Sequence, residues 1–186
     1  MARVPYVNQS DLPDGYRELL SRPANVFRAL ANSPDLLRAY LQFGMWIRSE
    51  CELDPRVREL AILQVGYLAG SEYEFSHHVK IGHDFGVSDD DINALIADNA
   101  GRPHQLGELE RLVLTATREI TEDGNVTDET WEALSGHLEV ARLVELVMVV
   151  TFYGCITRIL SILRIDVEPE YAGYLKTFPL NQSSKS

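Results

Sequence analysis

The 186-residue sequence contains only two cysteines, Cys51 and Cys155, and neither is part of a CxxC pair. Two isolated thiols cannot form a disulfide framework, and the missing CxxC pairs argue against a structural zinc site or a dithiol redox centre. Such sparse use of cysteine is typical of a reducing compartment, so we expect a cytoplasmic protein.

Positively charged residues are also few, and this limits the possible partners. The sequence has 17 Lys and Arg residues against 28 Asp and Glu residues, which gives a formal net charge of −11. A surface of this sign is repelled by phosphate backbones and by anionic lipids. We therefore expect neither a nucleic acid nor a membrane to be the main partner.

Long apolar runs are missing as well. Residues 1–12 lack the apolar core that a signal peptide needs. The most apolar run, from Leu143 to Tyr153, contains Glu145 and is too short to cross a bilayer. This run predicts a buried core helix instead.

The residues that are present predict helices throughout. Ser33-Pro34 and Asp54-Pro55 place a capping residue before a proline, as in the first turn of a helix. Ser71 and Ser88 each precede an acidic residue by three positions, which is a capping box. No segment shows the sustained alternation of a strand. The sequence therefore predicts an all-α fold, with helices over 13–21, 24–31, 34–49, 55–69, 72–85, 89–98, 107–122, 128–136 and 139–163.

The same pattern predicts one domain with two short extensions. A hydrophobic share of 45% and a charged share of 24% are ordinary for a globular protein. We expect residues 13–175 to form a single helical domain. The N-terminal arm, 1–12, and the C-terminal tail, 176–186, are expected to be mobile or to pack on a partner.

Two neighbouring predicted helices carry the residues suited to chemistry. Helix 55–69 is apolar nearly all round, so Glu59 on it is expected to be desolvated. On the next helix, offsets of three and four place Ser71, Glu74 and His78 on one stripe. If the two helices pack antiparallel, Glu59 faces that stripe. Two carboxylates and an imidazole in a partly apolar pocket favour general acid–base catalysis, because such surroundings push pKa values apart.

Each of these residues also has a structural interpretation. Ser71 and Glu74 are also consistent with a capping box, and His78 with a hydrogen-bonded core histidine. Glu59 could pair with Arg56 or Arg58 at the start of its helix. Glu74-Phe75-Ser76-His77 is an ExxH unit of the kind used in helical di-iron sites, but no second unit occurs in the sequence. We therefore predict no metal.

Four segments together resemble a known family. Leu53–Ile62 and Gly70–His78 are similar to the central motif of the carboxymuconolactone decarboxylase / alkylhydroperoxidase D-like family. Gly86–Ile92 resembles the start of that family's next helix, and Arg142–Leu146 with Tyr153 resembles its last long helix. The resemblance covers about residues 50–165.

This resemblance implies an all-helical protein that assembles as a trimer or hexamer. The family's peroxidase branch uses a glutamate, two cysteines in CxxC and a histidine, and these positions here are Glu59, Ser71, Glu74 and His78. Both thiols of a peroxide cycle are therefore absent. The decarboxylase branch acts on a γ-lactone acid without thiols, and His78 matches its histidine. The resemblance thus implies proton transfer to a carbanion-like centre without a metal or an organic cofactor.

The sequence therefore predicts a cofactor-independent, homo-oligomeric enzyme that decarboxylates or isomerises a small carboxylate or lactone. Its expected catalytic residues are Glu59, Glu74 and His78. Its expected substrate-binding residues are Ser71, Tyr73, His77 and Arg56.

Two other functions stay open on the sequence alone. One is an alkylhydroperoxidase-like antioxidant oxidoreductase, with peroxiredoxin activity, that uses Cys51 or Cys155. It is disfavoured because the CxxC positions are Ser71 and Glu74. The other is a non-catalytic family member that only binds a ligand.

Overall fold

The elements of the fold are helices joined by short turns. The computed structural model describes residues 1–180, and no strand occurs among them. Two 3-10 helices, Gln9–Asp11 and Asp14–Leu20, precede the α-helices. These are α1 (Asn25–Leu30), α2 (Pro34–Ser49), α3 (Pro55–Leu68), α4 (Glu72–Asp84), α5 (Asp89–Asn99), α6 (Glu108–Asp123), α7 (Asp128–Ser135), α8 (Val140–Leu163) and α9 (Ala172–Thr177). The predicted all-α fold is confirmed.

The helix ends follow the capping signals. Asp54 caps α3 by accepting a hydrogen bond from the Val57 amide, and Pro55 occupies the first turn. Ser88 and Asp91 form the reciprocal capping box that opens α5. The first predicted helix, 13–21, is a 3-10 helix rather than an α-helix. The sequence analysis missed α9, since six residues carry too few periodic positions to indicate a helix.

Helix α3 lies at the centre of the fold. Every residue from Val57 to Tyr67 is buried, because α4, α6 and α8 all pack against this helix. Among residues 1–180, α8 alone is long and apolar enough to cross a bilayer, by length and composition only. Its buried residues pack against α3, α6 and α7. The core helix of a folded domain meets the same criteria, so they are weak evidence for a membrane.

A tight antiparallel hairpin of α3 and α4 positions the residues of interest. Gly70, with a φ of 59°, turns the chain in the left-handed region that favours glycine. Further back, a Cβ on Gly66 would lie 3.1 Å from the backbone nitrogen of Phe75. Such a contact is tighter than most Cβ contacts, so glycine at this position favours the close approach of the two helices.

The N-terminal arm and the described part of the C-terminal tail pack on the chain itself. The Arg3 amide donates to the Leu163 carbonyl at 2.8 Å, and Leu12 is only 4% exposed. The expectation of a mobile or partner-bound arm is therefore corrected, because its apolar side chains find buried positions on α8 and its neighbours. The predicted tail begins inside α9, and Phe178 is 2% exposed. The remainder of that tail, 181–186, lies outside the described residues.

Candidate active site

A buried line of three ionisable side chains connects α3 and α4. His78 Nδ1 lies 2.7 Å from Oε2 of Glu59, and His78 Nε2 lies 3.1 Å from Oε1 of Glu74. An imidazole with both nitrogens against carboxylates is satisfied as the imidazolium, which donates from both. The three residues therefore converge, as the sequence predicted for antiparallel packing of their two helices.

Electrostatics at this line favour the charged forms. His78 is 6% exposed, and burial alone would lower its pKa. The carboxylates of Glu59 and Glu74 outweigh burial and raise the pKa of His78 to about 9. For Glu59, burial alone would raise the pKa, because it disfavours the charged carboxylate. His78 and Arg58 outweigh burial and hold the pKa of Glu59 below its usual value. His78 is thus an imidazolium that donates hydrogen bonds to the carboxylates of Glu59 and Glu74.

Arg58 completes the charged group at the buried end. It is 1% exposed, and its Nη2 lies 3.2 Å from Oε1 of Glu59. Its guanidinium also lies over the ring of Phe85, 4.8 Å from the centroid. Glu59 therefore pairs with Arg58, as one interpretation of the sequence predicted, and with His78 at the same time.

A cavity of about 180 Å³ opens onto these side chains. Its floor is formed by Arg58, Glu59, Glu74 and His78, and its walls are mainly apolar and aromatic. The walls come from α1, α2, α4 and α8 and include Phe27, Tyr40, Leu41, Met45, Ile47, Ile81, Phe152 and Tyr153. This volume is below the ~300–1,000 Å³ of pockets for drug-sized ligands, so the cavity suits a small molecule.

Tyr153 brings a hydroxyl to this cavity. Its ring meets the His78 imidazole edge-on, with the centroids 5.0 Å apart. Burial and the nearby carboxylates of Glu74 and Glu59 raise the pKa of Tyr153, so its hydroxyl stays protonated. No residue between 1 and 180 hydrogen-bonds to that hydroxyl. A protonated, unpaired donor beside the imidazolium is suited to a ligand oxygen.

Tyr73 and His77, two expected substrate-binding residues, line the cavity but are held by other contacts. The Tyr73 hydroxyl donates to Oε1 of Glu168 at 3.0 Å and accepts from the Val26 amide. The His77 ring stacks between Tyr73 and Tyr171, with centroids 4.1 Å and 3.7 Å away. These two residues therefore form a fixed wall.

Ser71 and Arg56, the other two expected substrate-binding residues, do not line this cavity. Ser71 caps α4, where its hydroxyl accepts a hydrogen bond from the Glu74 amide. Arg56 is bound by Asp91 at 2.6 Å and by Glu110 at 2.5 Å. Arg56 lies three positions before Glu59, and its side chain leaves α3 toward α5 and α6 rather than toward α4.

Neither cysteine lines the cavity. The Cys51 thiol donates to Oε2 of Glu145 at 3.4 Å, and burial raises its pKa. Cys155 is exposed on α8. Among residues 1–180, no group of three or more His, Cys, Asp and Glu side chains is arranged to hold a metal ion.

Comparison with known proteins identifies the segment that contains this line. Residues 34–102, which include Glu59, Glu74 and His78, match the model of the Carboxymuconolactone decarboxylase family. The match covers residues 34–102, which is less than half of the chain. The resemblance stated from the sequence is confirmed. No curated protein matches the sequence.

Solved structures share the fold of this chain. An uncharacterized peroxidase-related protein with an alkylhydroperoxidase AhpD core, from Ralstonia eutropha JMP134, is 19% identical, with a TM-score of 0.77 over 91% of this chain and 94% of that one. A variant of the debrominase Bmp8 in complex with 2,3,4-tribromopyrrole is 17% identical, with a TM-score of 0.79 over 96% and 98%. An uncharacterized peroxidase-related protein from Silicibacter sp. TM1040 is 18% identical, with a TM-score of 0.72 over 93% and 98%. At these identities the likeness concerns the fold alone.

Sequence reasoning missed the contribution of α2 to the cavity. Tyr40, Leu41, Gly44, Met45 and Arg48 recur at spacings of one, three and four residues and form one face of this helix. That periodicity was available in the sequence. Nothing in it indicated that this face packs over α3 and α4.

Proposed function

We propose that this protein catalyses cofactor-independent proton transfer, as a decarboxylation or an isomerisation, on a small carboxylate or lactone. The observation that carries the proposal is the contact of both His78 nitrogens with buried carboxylates, Glu59 and Glu74, at the floor of an apolar cavity. General acid–base catalysis needs a positioned group that can hold and release a proton. In the Glu59–His78–Glu74 line, His78 holds the proton and the carboxylates can accept it.

In the decarboxylation, the bond between the substrate carbon and its carboxylate breaks and carbon dioxide leaves. The electron pair stays on that carbon and is delocalised onto the lactone carbonyl. Glu74 then takes the Nε2 proton of the His78 imidazolium and passes it to the carbon. Water returns the proton to His78, so the cycle consumes one proton and needs no oxidant or reductant.

In the isomerisation, the same groups first remove a proton from the substrate instead of supplying one. Glu74 removes a proton from a carbon beside the carbonyl, and the imidazolium of His78 stabilises the charge on that side. The proton then returns to a different carbon of the delocalised intermediate. Glu59 keeps His78 oriented and charged throughout, since it accepts from Nδ1.

The test is turnover of γ-carboxymuconolactone and a panel of related γ-lactone acids, followed by NMR. We expect His78→Gln and Glu74→Gln to lose about 10²–10⁴-fold in rate. His83→Gln, a change on the exposed side of the same helix, is the matched control and should keep the wild-type rate. Circular dichroism gives the folded fraction of each variant.

If His78→Gln fails to fold, Glu74→Gln still tests the proposal, because it leaves the Glu59–His78 pair in place. Turnover that is unchanged in folded Glu74→Gln and His78→Gln proteins removes this line from the mechanism. No turnover of any lactone acid by the wild type contradicts the proposed chemistry and favours a ligand-binding family member.

A thiol peroxidase is supported less well. The cysteines lie outside the cavity, and the Cys51 thiol has a raised pKa, which disfavours the reactive thiolate. We expect no hydroperoxide consumption with a dithiol reductant. Turnover that disappears in the Cys51→Ser, Cys155→Ser double variant would contradict this expectation.

A further inference from the structure

The charges that line the cavity do not cancel. Glu59 and Glu74 are balanced by Arg58 and the imidazolium of His78, and these four side chains contact one another at the floor. Arg48 also lines the cavity and adds a fifth, positive charge. A protein with a net charge of −11 thus holds an excess of positive charge at this opening.

Arg48 is free to bind a ligand. It lies on the exposed part of α2, and its guanidinium rests over the ring of Phe85, 5.4 Å from the centroid. No carboxylate between residues 1 and 180 forms an ion pair with Arg48. Asp84, whose pKa is lowered mainly by Lys80 and to a smaller extent by Arg48, is bound to Lys80 at 2.5 Å.

The other arginines near the site are already occupied. Arg58 is paired with Glu59 in the interior, and Arg56 is bound by Asp91 and Glu110 away from the cavity. A guanidinium presents a planar fork that matches a carboxylate, and this pairing is stronger than a neutral hydrogen bond. Among residues 1–180, Arg48 is therefore the arginine that can offer such a fork to a molecule in the cavity.

We propose that Arg48 binds a carboxylate of the substrate at the mouth of the cavity, while the apolar body of the substrate lies against the aromatic walls. This inference rests on the proposed function and adds the residue that recognises the charge of the substrate. Arg48 is exposed whereas His78 is buried, so the carboxylate at Arg48 is separate from the carbon that reacts at the floor.

The experiment measures binding of benzoate and of benzamide, its neutral isostere, by calorimetry. Both are small aromatic probes, and only benzoate carries the charge. We expect the wild type to prefer benzoate, and Arg48→Gln to weaken benzoate about tenfold with little effect on benzamide. Arg48→Lys should give an intermediate value, because it keeps the charge and loses the fork.

Arg142→Gln is the matched control for the loss of one positive charge. Arg142 is exposed on α8 and does not line the cavity, so benzoate affinity should remain at the wild-type value. Equal weakening by both variants would reduce the effect to net charge and overturn the proposal. Equal affinity for benzoate and benzamide in the wild type, or no binding of either probe, would overturn it as well.

Binding is measured without turnover, so this proposal and the proposed function fail separately. A preference for benzoate that depends on Arg48, combined with no turnover of lactone acids, supports carboxylate recognition and contradicts the chemistry. Turnover that depends on His78, combined with an unchanged benzoate preference in Arg48→Gln, supports the proposed chemistry and contradicts carboxylate recognition by Arg48.

Discussion

At the scale of single residues, His78 differs from an ordinary histidine because two carboxylates hold its proton. Its pKa of about 9 in the folded protein exceeds the value of about 6.5 in an unfolded chain. The folded state therefore binds this proton more tightly, which contributes to stability. That contribution is complete below pH about 6.5 and is lost as the pH rises through about 9.

This sign gives a prediction for the pH dependence of stability. We expect the difference in unfolding free energy between the wild type and His78→Gln to shrink by about 3 kcal/mol from pH 6 to above pH 9. Urea unfolding at several pH values measures it, and His83→Gln controls for an exposed histidine on the same helix. A difference that stays constant from pH 6 to 10 would contradict the raised pKa.

Tyr153 and Tyr73 provide a comparison between a hydroxyl expected to act in turnover and one expected to stabilise the fold. The Tyr153 hydroxyl has no hydrogen-bond partner among residues 1–180, so Tyr153→Phe should leave the melting temperature unchanged. We expect about a tenfold or greater loss of turnover, since the substrate loses a donor beside His78. Tyr73→Phe removes bonds to Glu168 and Val26, and should lower the melting temperature. Similar melting temperatures and rates in the two variants would contradict this division.

At the scale of helices, the hairpin of α3 and α4 sets the distance from Glu59 to His78. Gly66 permits the close approach, because any Cβ there meets the backbone of Phe75. Backbone atoms cannot rotate away as a side chain can, so the two helices would have to separate. Small separations at this point affect the 2.7 Å hydrogen bond between His78 and Glu59, which crosses from α4 to α3.

We therefore predict that Gly66→Ala destabilises the protein by about 1–3 kcal/mol and reduces turnover of the remaining folded protein. Gly173→Ala is the control, because a Cβ on Gly173 in α9 meets nothing within 4 Å. That control should be neutral or slightly stabilising. Denaturant unfolding and rates per folded molecule test the pair, and a Gly66→Ala protein as stable as Gly173→Ala would refute the packing argument.

At the scale of the whole molecule, α8 leaves an apolar stripe uncovered. Val140, Val144 and Met148 are 75%, 55% and 44% exposed. Their spacings of four place them on one face of α8, and these three residues form the α8 stripe. Ile162, near the end of the helix, is 59% exposed. Contiguous exposed apolar surface of this kind marks interaction sites. The expected trimer or hexamer, like the cytoplasmic location, stays a prediction.

We predict that self-association of this chain buries the α8 stripe. Val144→Glu should lower the molar mass measured by light scattering at micromolar concentration, because a charge cannot be buried there without a partner. Leu36→Glu is the control, since Leu36 is 54% exposed on α2 and lies off the stripe. A wild type that is a stable monomer would contradict the prediction, as would an unchanged oligomer in Val144→Glu.

The sequence by itself determined the local structure. Proline and capping residues placed the starts of α2, α3 and α5, because a cap satisfies backbone amides within a few positions of its own. The helical period likewise placed Glu74 and His78 on one stripe, since neighbours four apart share a face wherever the helix lies. The family resemblance then depended on these same residues.

Only the tertiary structure decided which side chains share the cavity. Arg56 and Arg58 are two positions apart on one helix, yet one is bound by α5 and α6 and the other by Glu59. Arg48 and Tyr153, more than 100 positions apart, line the same cavity. Such selection depends on how α2 and α8 pack over the hairpin. The energy of packing is summed over many small contacts from distant segments, so no local pattern encodes it.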